Sequence, residues 1–347
     1  MVERKQANSD SKQGKAETAE KKRDIGIDVL RVLGLIGVIL AHCSIPGPLF
    51  EVREFDVTML VLASGMSYAC AKKVGEDSSS FGSWFRYVLK RFRRLVVPVW
   101  AFLVFFFLFF HFIFGISFGW NYIISSFALT SGGIQFVWVF RVFFTSAIFN
   151  PLLEKTVSKK GTVWSAICFG AVLAVNEVLI YAAGLYVSGT ALKLLNYIVF
   201  YTVSYAMISG LGIAVQRMKE KEKPDILSVS GVIFLVFGII LGWPSLQDYK
   251  YPPQLFYISY GMIISLAVDL LVAWRKGSRK EERRWLLWLS RHSMDIYIAH
   301  IFVIYLIQAL NLSVSVPWIA QFALYFGFSI VLVLLFLVIF KKNPDTQ

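Results

Sequence analysis

The chain is expected to fold as an all-α bundle that crosses a membrane about ten times, with both termini in the cytoplasm. Three observations lead there. Apolar runs of about 20 residues, the length that spans a bilayer, recur from one end to the other. Only 16% of the residues are charged, against roughly 25% in soluble domains, and mean hydropathy is +0.63. Third, the basic residues alternate with the apolar runs. Of 35 Lys and Arg, 30 fall on the N-terminal tail and every second loop. Only Arg53, Lys193 and Lys250 fall on the other side, and Arg31 and Arg141 sit within spans. Basic loops stay in the cytoplasm, so this asymmetry fixes the orientation and requires an even number of spans. It also accounts for a net charge of +13 without any nucleic acid.

In order, residues 1–23 are polar and aperiodic and read as a disordered cytoplasmic tail. A membrane domain follows at 24–341, then a short cytoplasmic tail at 342–347. The spans are expected near 25–45, 56–73, 95–118, 134–154, 163–183, 195–215, 229–243, 254–274, 293–311 and 318–340. The first has no small-residue cleavage pattern and more spans follow it, so it reads as a retained helix and not a signal peptide. The loops on the outer side are short, which leaves the chemistry to the bundle itself. Cys43, Cys70 and Cys168 lie in apolar segments, with neither metal-ligand spacing nor a disulfide framework.

The first span carries the most information. Arg31 and His42 stand eleven residues apart. At about 100° per residue both side chains project from one stripe of one helix, separated by about 16 Å along the axis. Ionisable groups inside a membrane are costly and mark a pathway or a site. The stripe holds a fixed cation toward the cytoplasm and a titratable base toward the outside, and an imidazole suits general-base work near neutral pH. Asp28, three residues before Arg31, can pair with it. The plainer alternative is a buried Asp–Arg pair and an interfacial histidine bonded to backbone. Gly34, Gly37 and Ala41 form a small-residue face that admits a close neighbour.

Other polar residues follow. Ser64-Gly65 reads as a helix-packing notch or a polar contribution to a site. The run Arg86 to Arg94 is either a cytoplasmic anchor or a grip on an anionic ligand. Arg141 and Glu177 share a depth below the outer interface, as a buried ion pair or as parts of a pocket. Ser293, Tyr297 and His300 share one helical side, which must face the bundle interior. His111 lacks polar neighbours in sequence and His292 lies in a basic loop, so neither reads as catalytic.

Together these segments resemble integral-membrane acyltransferase family 3, which O-acylates sugars at bacterial surfaces. Arg31 through His42 resembles its Arg-x10-His signature, and Phe55-Asp56-Val57 with Ser64-Gly65 its second-helix motif. Arg91 to Arg94 resembles its Arg-x-x-Arg element, and Ser293, Tyr297 and His300 its late Ser/Tyr/His helix, all in order over about residues 23–340. Tyr251-Pro252-Pro253 with Arg53 to Val57 is similar to members that acetylate capsular or cell-wall polysaccharides. One departure is Phe136-Val137-Trp138-Val139, where many members have His-x-Trp-Phe, which weakens any role carried over to Trp138.

The resemblance implies a cytosolic acyl-CoA donor, most often acetyl-CoA, and a glycan hydroxyl as acceptor on a polysaccharide or lipid-linked oligosaccharide. It implies a multi-pass protein of the bacterial plasma membrane, among lipids and polysaccharide-assembly proteins, with no metal and no tightly bound cofactor. His42 would be the general base, or the carrier of an acyl intermediate. Asp28 would orient Arg31, and Arg31, Arg91 and Arg94 would hold the donor. Ser64, Arg141, Glu177, Tyr297 and His300 would form the acceptor pocket or steady the oxyanion. A transporter or flippase is the rival, since intramembrane charges also serve translocation. A non-catalytic assembly subunit is a third reading.

Overall fold

The computed structural model describes residues 24–71, 80–275, 280–312 and 316–340. The tails expected at 1–23 and 342–347 lie outside them. The described chain is helical, and every expected span is realised as helix. The order begins α1 (Ile25–Leu40), a short α2 (Gly47–Val52), a 3-10 turn (Arg53–Phe55), α3 (Asp56–Ala71) and α4 (Phe81–Phe114). A short α5 (Trp120–Phe127), a 3-10 turn (Gln135–Val137), α6 (Trp138–Lys160) and α7 (Thr162–Tyr186) come next. The helix α8 (Gly189–Arg217) contains one π-helical turn at Leu195–Phe200. The chain continues with α9 (Lys223–Leu241), α10 (Leu255–Trp274), α11 (Lys280–Arg291), α12 (Ser293–Ala309) and α13 (Trp318–Phe340).

Among the described residues seven helices are long and apolar enough to cross a membrane, and α11 with α12, bent by 67°, makes an eighth if the pair is one span. The expected ten is reached only by adding α1 and α3, which have 16 residues each. At about 1.5 Å per residue each is about 24 Å long, short of a hydrocarbon core of about 30 Å. Both are wrapped by other helices, with Leu30, Ile39, Met59, Val61 and Leu62 fully buried. A helix surrounded by protein need not match the lipid thickness. The lipid-facing apolar side chains sit instead on α4, α7, α9 and α13, as at Phe112, Val178, Ile240 and Val338.

Two boundaries differ from expectation for local reasons. The first span was expected to run helically to Ile45, but α1 stops at Leu40. Pro46 lacks the N–H that a continuing helix needs and disfavours helical backbone at Ile45, and the separate helix α2 begins after it. The last turn tightens, with the His42 N–H donating to Ile39 O at 3.1 Å and the Cys43 N–H to Leu40 O at 3.0 Å. His42 therefore sits on a tight turn just past the helix. The third span was expected to begin at residue 95, but α4 starts at Phe81 and runs for 34 residues. The basic run Arg86 to Arg94 is the extension of a membrane helix beyond the bilayer. A left-handed Gly115 (φ 67°) ends it.

The central helix, α3, packs most extensively against α8 and also against α1 and α10. Small residues permit these crossings. A Cβ on Gly37 would lie 3.0 Å from Asp56 Cβ, which bears out the small-residue face of α1 for that contact. A Cβ on Gly65 would lie 2.0 Å from the backbone oxygen of Ser209 in α8, so Ser64-Gly65 is a packing notch. Gly65→Ala is expected to destabilise the fold by about 1–3 kcal/mol through overpacking. Gly184→Ala in α7, where a Cβ meets nothing within 4 Å, is the matched control. Unfolding midpoints in detergent should fall for the first and not for the second.

The buried apolar side chains form two clusters. One centres on α3, α8 and α10 (Met59, Leu62, Tyr205, Tyr257) and the other on α4 and α12 (Leu103, Phe106, Ile301). The seam between them is α1, which gives Ile27 and Leu30 to the first and Leu35 and Ile39 to the second. Arg31 thus lies on, and His42 just past the end of, the helix where the two halves of the bundle meet.

Candidate active site

Two contacts hold α1 beside α11 and α12. Near its start, Asp28 is buried and its Oδ1 accepts a hydrogen bond from Ser290 Oγ at the end of α11. Near its end, the His42 ring stacks on His300 of α12, with centroids 5.5 Å apart and planes at 22°. Phe136 meets the His42 ring edge-on at 4.3 Å. The backbone after His42 is held as well, because Ser44 N–H donates to Gln321 Oε1 of α13 at 2.8 Å. His42 remains partly exposed, and no carboxylate lies within ion-pair distance of it among the described residues.

His300 is fully buried. Its Nδ1 lies against the carbonyl oxygen of Tyr297. A carbonyl only accepts, so Nδ1 carries the proton and Nε2 of the neutral ring is a bare acceptor. That Nε2 has no hydrogen-bond partner among the described residues. A neutral His300 can accept from a hydroxyl but cannot donate to an oxyanion, which narrows the role expected of it. The Tyr297 hydroxyl is engaged within the fold. It donates to the Phe136 carbonyl at 2.7 Å, so the phenol proton is engaged in fixing the 3-10 turn over the histidines.

Beside the histidines lies a charge cluster that sequence reasoning missed. Arg53 donates to Glu54 Oε1 at 2.7 Å and to Asp56 Oδ2 at 2.8 Å. Lys250, almost 200 residues away, donates to Glu54 Oε2 at 2.7 Å and to Asp56 Oδ1 at 3.3 Å. All four are buried, and two cations balance two anions. Burial raises the Glu54 carboxyl above its ordinary value, and the charges of Lys250 and Arg53 oppose that shift. Burial also works to lower the Lys250 ammonium, but Asp56, Tyr257, Tyr251 and Glu54 outweigh it and hold the group above its ordinary value. Arg53 and Lys250 also act electrostatically on His42. One signal was available in sequence, since these are two of only three basic residues that break the positive-inside pattern.

At the other end of α1, Arg31 Nη2 donates to Ser67 Oγ of α3 at 2.6 Å. One residue further on, Tyr68 packs edge-on against Tyr87 of α4 at 5.6 Å, and Arg91 Nε donates to Tyr87 OH at 3.2 Å. Arg217 at the end of α8 pairs with the buried Glu154 of α6 at 2.7 Å. Arg31, Arg91 and Arg217 thus gather cationic groups on the side that the charge count makes cytoplasmic. Arg94, expected to share the donor site, is exposed on the outer face of α4.

A model of the acyltransferase domain of family 3 matches residues 24–338. The chain belongs to acyltransferase family 3. It is a multi-pass membrane acyltransferase, and the match covers both ends of α1 with everything packed around them. No curated protein and no solved structure matches it.

The remaining expected site residues of this family 3 acyltransferase separate. Ser64 is half-buried within α3 and, among the described residues, makes no hydrogen bond to His42 or His300. Arg141 and Glu177, expected either to pair or to share a pocket, form no ion pair with each other among the described residues. Glu177 Oε2 accepts from Leu255 N–H at 2.9 Å and caps the start of α10, where unpaired N–H groups attract a carboxylate. Arg141 instead lays its guanidinium over the Tyr197 ring, 3.4 Å from the centroid.

Proposed function

We propose that this acyltransferase moves an acetyl group from cytosolic acetyl-CoA to a hydroxyl of a cell-surface or lipid-linked polysaccharide, in the plasma membrane of a bacterium. The observation that carries this reading is the division of α1 between two polar regions. Arg31, Arg91 and Arg217 cluster at one end, and the His42–His300 pair lies at the other.

Anionic phosphates of the donor suit the cationic end, where guanidinium groups bind them through charge-assisted contacts. The pantetheine arm then follows α1 toward His42. Neutral His42 takes the proton of the glycan hydroxyl. The hydroxyl oxygen bonds to the thioester carbonyl carbon, the C–S bond breaks, and the CoA sulfur leaves with the pair and is reprotonated from His42. The bare Nε2 of His300 accepts from the same hydroxyl or from a neighbouring one and so orients the acceptor. Asp28 and Ser290 keep the start of α1 in register with the end of α11. Ping-pong kinetics with a trapped acyl group on His42 would replace direct attack by the covalent variant.

The inward position of Arg91 gives a test of the donor end. Arg91→Ala is expected to raise the KM for acetyl-CoA by about 10-fold to 100-fold, the loss of one charge-assisted hydrogen bond. Arg94→Ala should stay within about twofold, as exposed charges do. Steady-state transfer in detergent, with acetyl-CoA varied, checks both. Equal effects of the two substitutions would contradict the cytosolic grip.

A further inference from the structure

Arg141 stands one turn into α6, on the outer half of a membrane-crossing segment, Gln135–Lys160. Among the described residues no carboxylate pairs with it. Its neighbours are ring faces: Tyr197 at 3.4 Å and Tyr201 at 5.7 Å from the guanidinium carbon. A guanidinium carries five N–H donors in a planar fork, so one held over a ring can still present part of that fork to an anion. The Tyr197 phenol is fixed from behind, accepting a hydrogen bond from the Ser131 N–H at 3.0 Å. A cation in a membrane segment without a counter-charge is costly and marks a ligand or a pathway.

Arg141 also lines a pocket of about 150 Å³, together with Thr145, Tyr197, Ile198, Tyr201 and Tyr205. Sites for drug-sized ligands measure roughly 300–1,000 Å³, so this one takes a headgroup-sized anion and not a glycan chain. Its rim decides where that anion comes from. Ile198 is 59% exposed on a helix apolar enough to cross the membrane, so the mouth opens sideways onto acyl chains. Exposed Lys193 lies four residues before Tyr197 on the same helix. Tyr197 and Ile198 belong to the π-helical turn of α8, a distortion that recurs at functional sites. From the pocket an aromatic wall leads inward. Tyr201 stacks on Tyr251 at 6.2 Å, and both meet Trp138 edge-on. Trp138 stands two residues after Phe136, the ring that touches His42.

We infer that this pocket holds the phosphate of a lipid-borne acceptor, with Arg141 as the anion contact and the aromatic wall carrying the attached sugar toward His42. The inference rests on the reading of an outward-facing glycan acceptor, and it narrows that acceptor to one still attached to its lipid.

The test uses the purified full chain in neutral detergent, with farnesyl phosphate as probe and calorimetric titration as readout. Farnesyl phosphate should bind at least about tenfold more tightly than farnesol, inorganic phosphate or phosphatidylglycerol, a contrast that reflects one charge-assisted contact made from the lipid phase. Arg141→Gln should abolish the contrast, and Arg141→Lys should keep part of it. Equal binding of farnesol removes the anion site, and equal binding of inorganic phosphate removes the lipid carrier. Equal binding of phosphatidylglycerol makes the pocket a general lipid site, and each of these overturns the proposal. The three comparisons on the unsubstituted chain decide it even if Arg141→Gln does not fold. Acetyl transfer measured on the same preparation separates the two readings, because binding with the expected contrast but no transfer leaves the pocket and removes the acetyl-transfer reading.

Discussion

His42→Ala is expected to lower acetyl transfer by about 10²- to 10⁴-fold, the usual contribution of a positioned base, while the protein folds and binds donor normally. Among the described residues the side chain makes no hydrogen bond that the fold would lose. It stacks on His300, meets Phe136 edge-on and is partly exposed, so truncation removes ring contacts and one base. The donor groups lie at the far end of α1, so the KM for acetyl-CoA should hold while kcat falls. His42→Gln should be as slow as His42→Ala, since an amide keeps polarity and not basicity. Labelled acetyl-CoA and an oligosaccharide acceptor in vesicles measure kcat and KM for both variants. Near-wild-type turnover by either variant would contradict both direct attack and an acyl-His42 intermediate. An assembly subunit would likewise be indifferent to the change.

The second large effect concerns stability. Lys250→Met leaves Glu54 and Asp56 buried beside one cation in place of two. Breaking a buried charge cluster by removing one partner costs about 3–5 kcal/mol. Pairing that change with Glu54→Gln removes one charge of each sign, so the double variant should recover much of the loss. The non-additivity in a double-mutant cycle of unfolding midpoints measures the coupling. The sign of the pH dependence follows from Lys250. Its folded pKa lies above the ordinary 10.5, so its contribution is complete below that value and lost as pH climbs through the folded one. Neutral and mildly alkaline conditions should therefore leave the cluster intact, and the Lys250→Met protein should lack the alkaline loss.

Much of the architecture was legible because it is local. Apolar length and alternating charge give the helices and their order, and the close approaches at Gly37 and Gly65 follow from small residues on one helix face. What was not legible depends on segments far apart in the chain. Lys250 meets Glu54 across 196 residues, and Glu177 caps a helix 78 residues away. Neither partner leaves a mark near the other in sequence. Depth alone suggested an Arg141–Glu177 relation, but helices at one depth face different neighbours. Arg217 was legible only as one more cytoplasmic charge, because its pairing with Glu154 needs the crossing of α6 and α8. The Arg31–His42 stripe survives with a change. Pro46 ends α1 early, and His42 points from a tight turn that Gln321 helps to fix.

The most direct test of transfer along α1 is a sided assay in sealed proteoliposomes. Acetyl-CoA is supplied only on the side of Arg31, Arg91 and Arg217, and oligosaccharide only on the side of His42. Acetyl ester should form on the oligosaccharide without any ion gradient, and exchanging the two compartments should abolish it. Unmodified oligosaccharide crossing the membrane, or transfer only when both substrates share the Arg91 side, would contradict it.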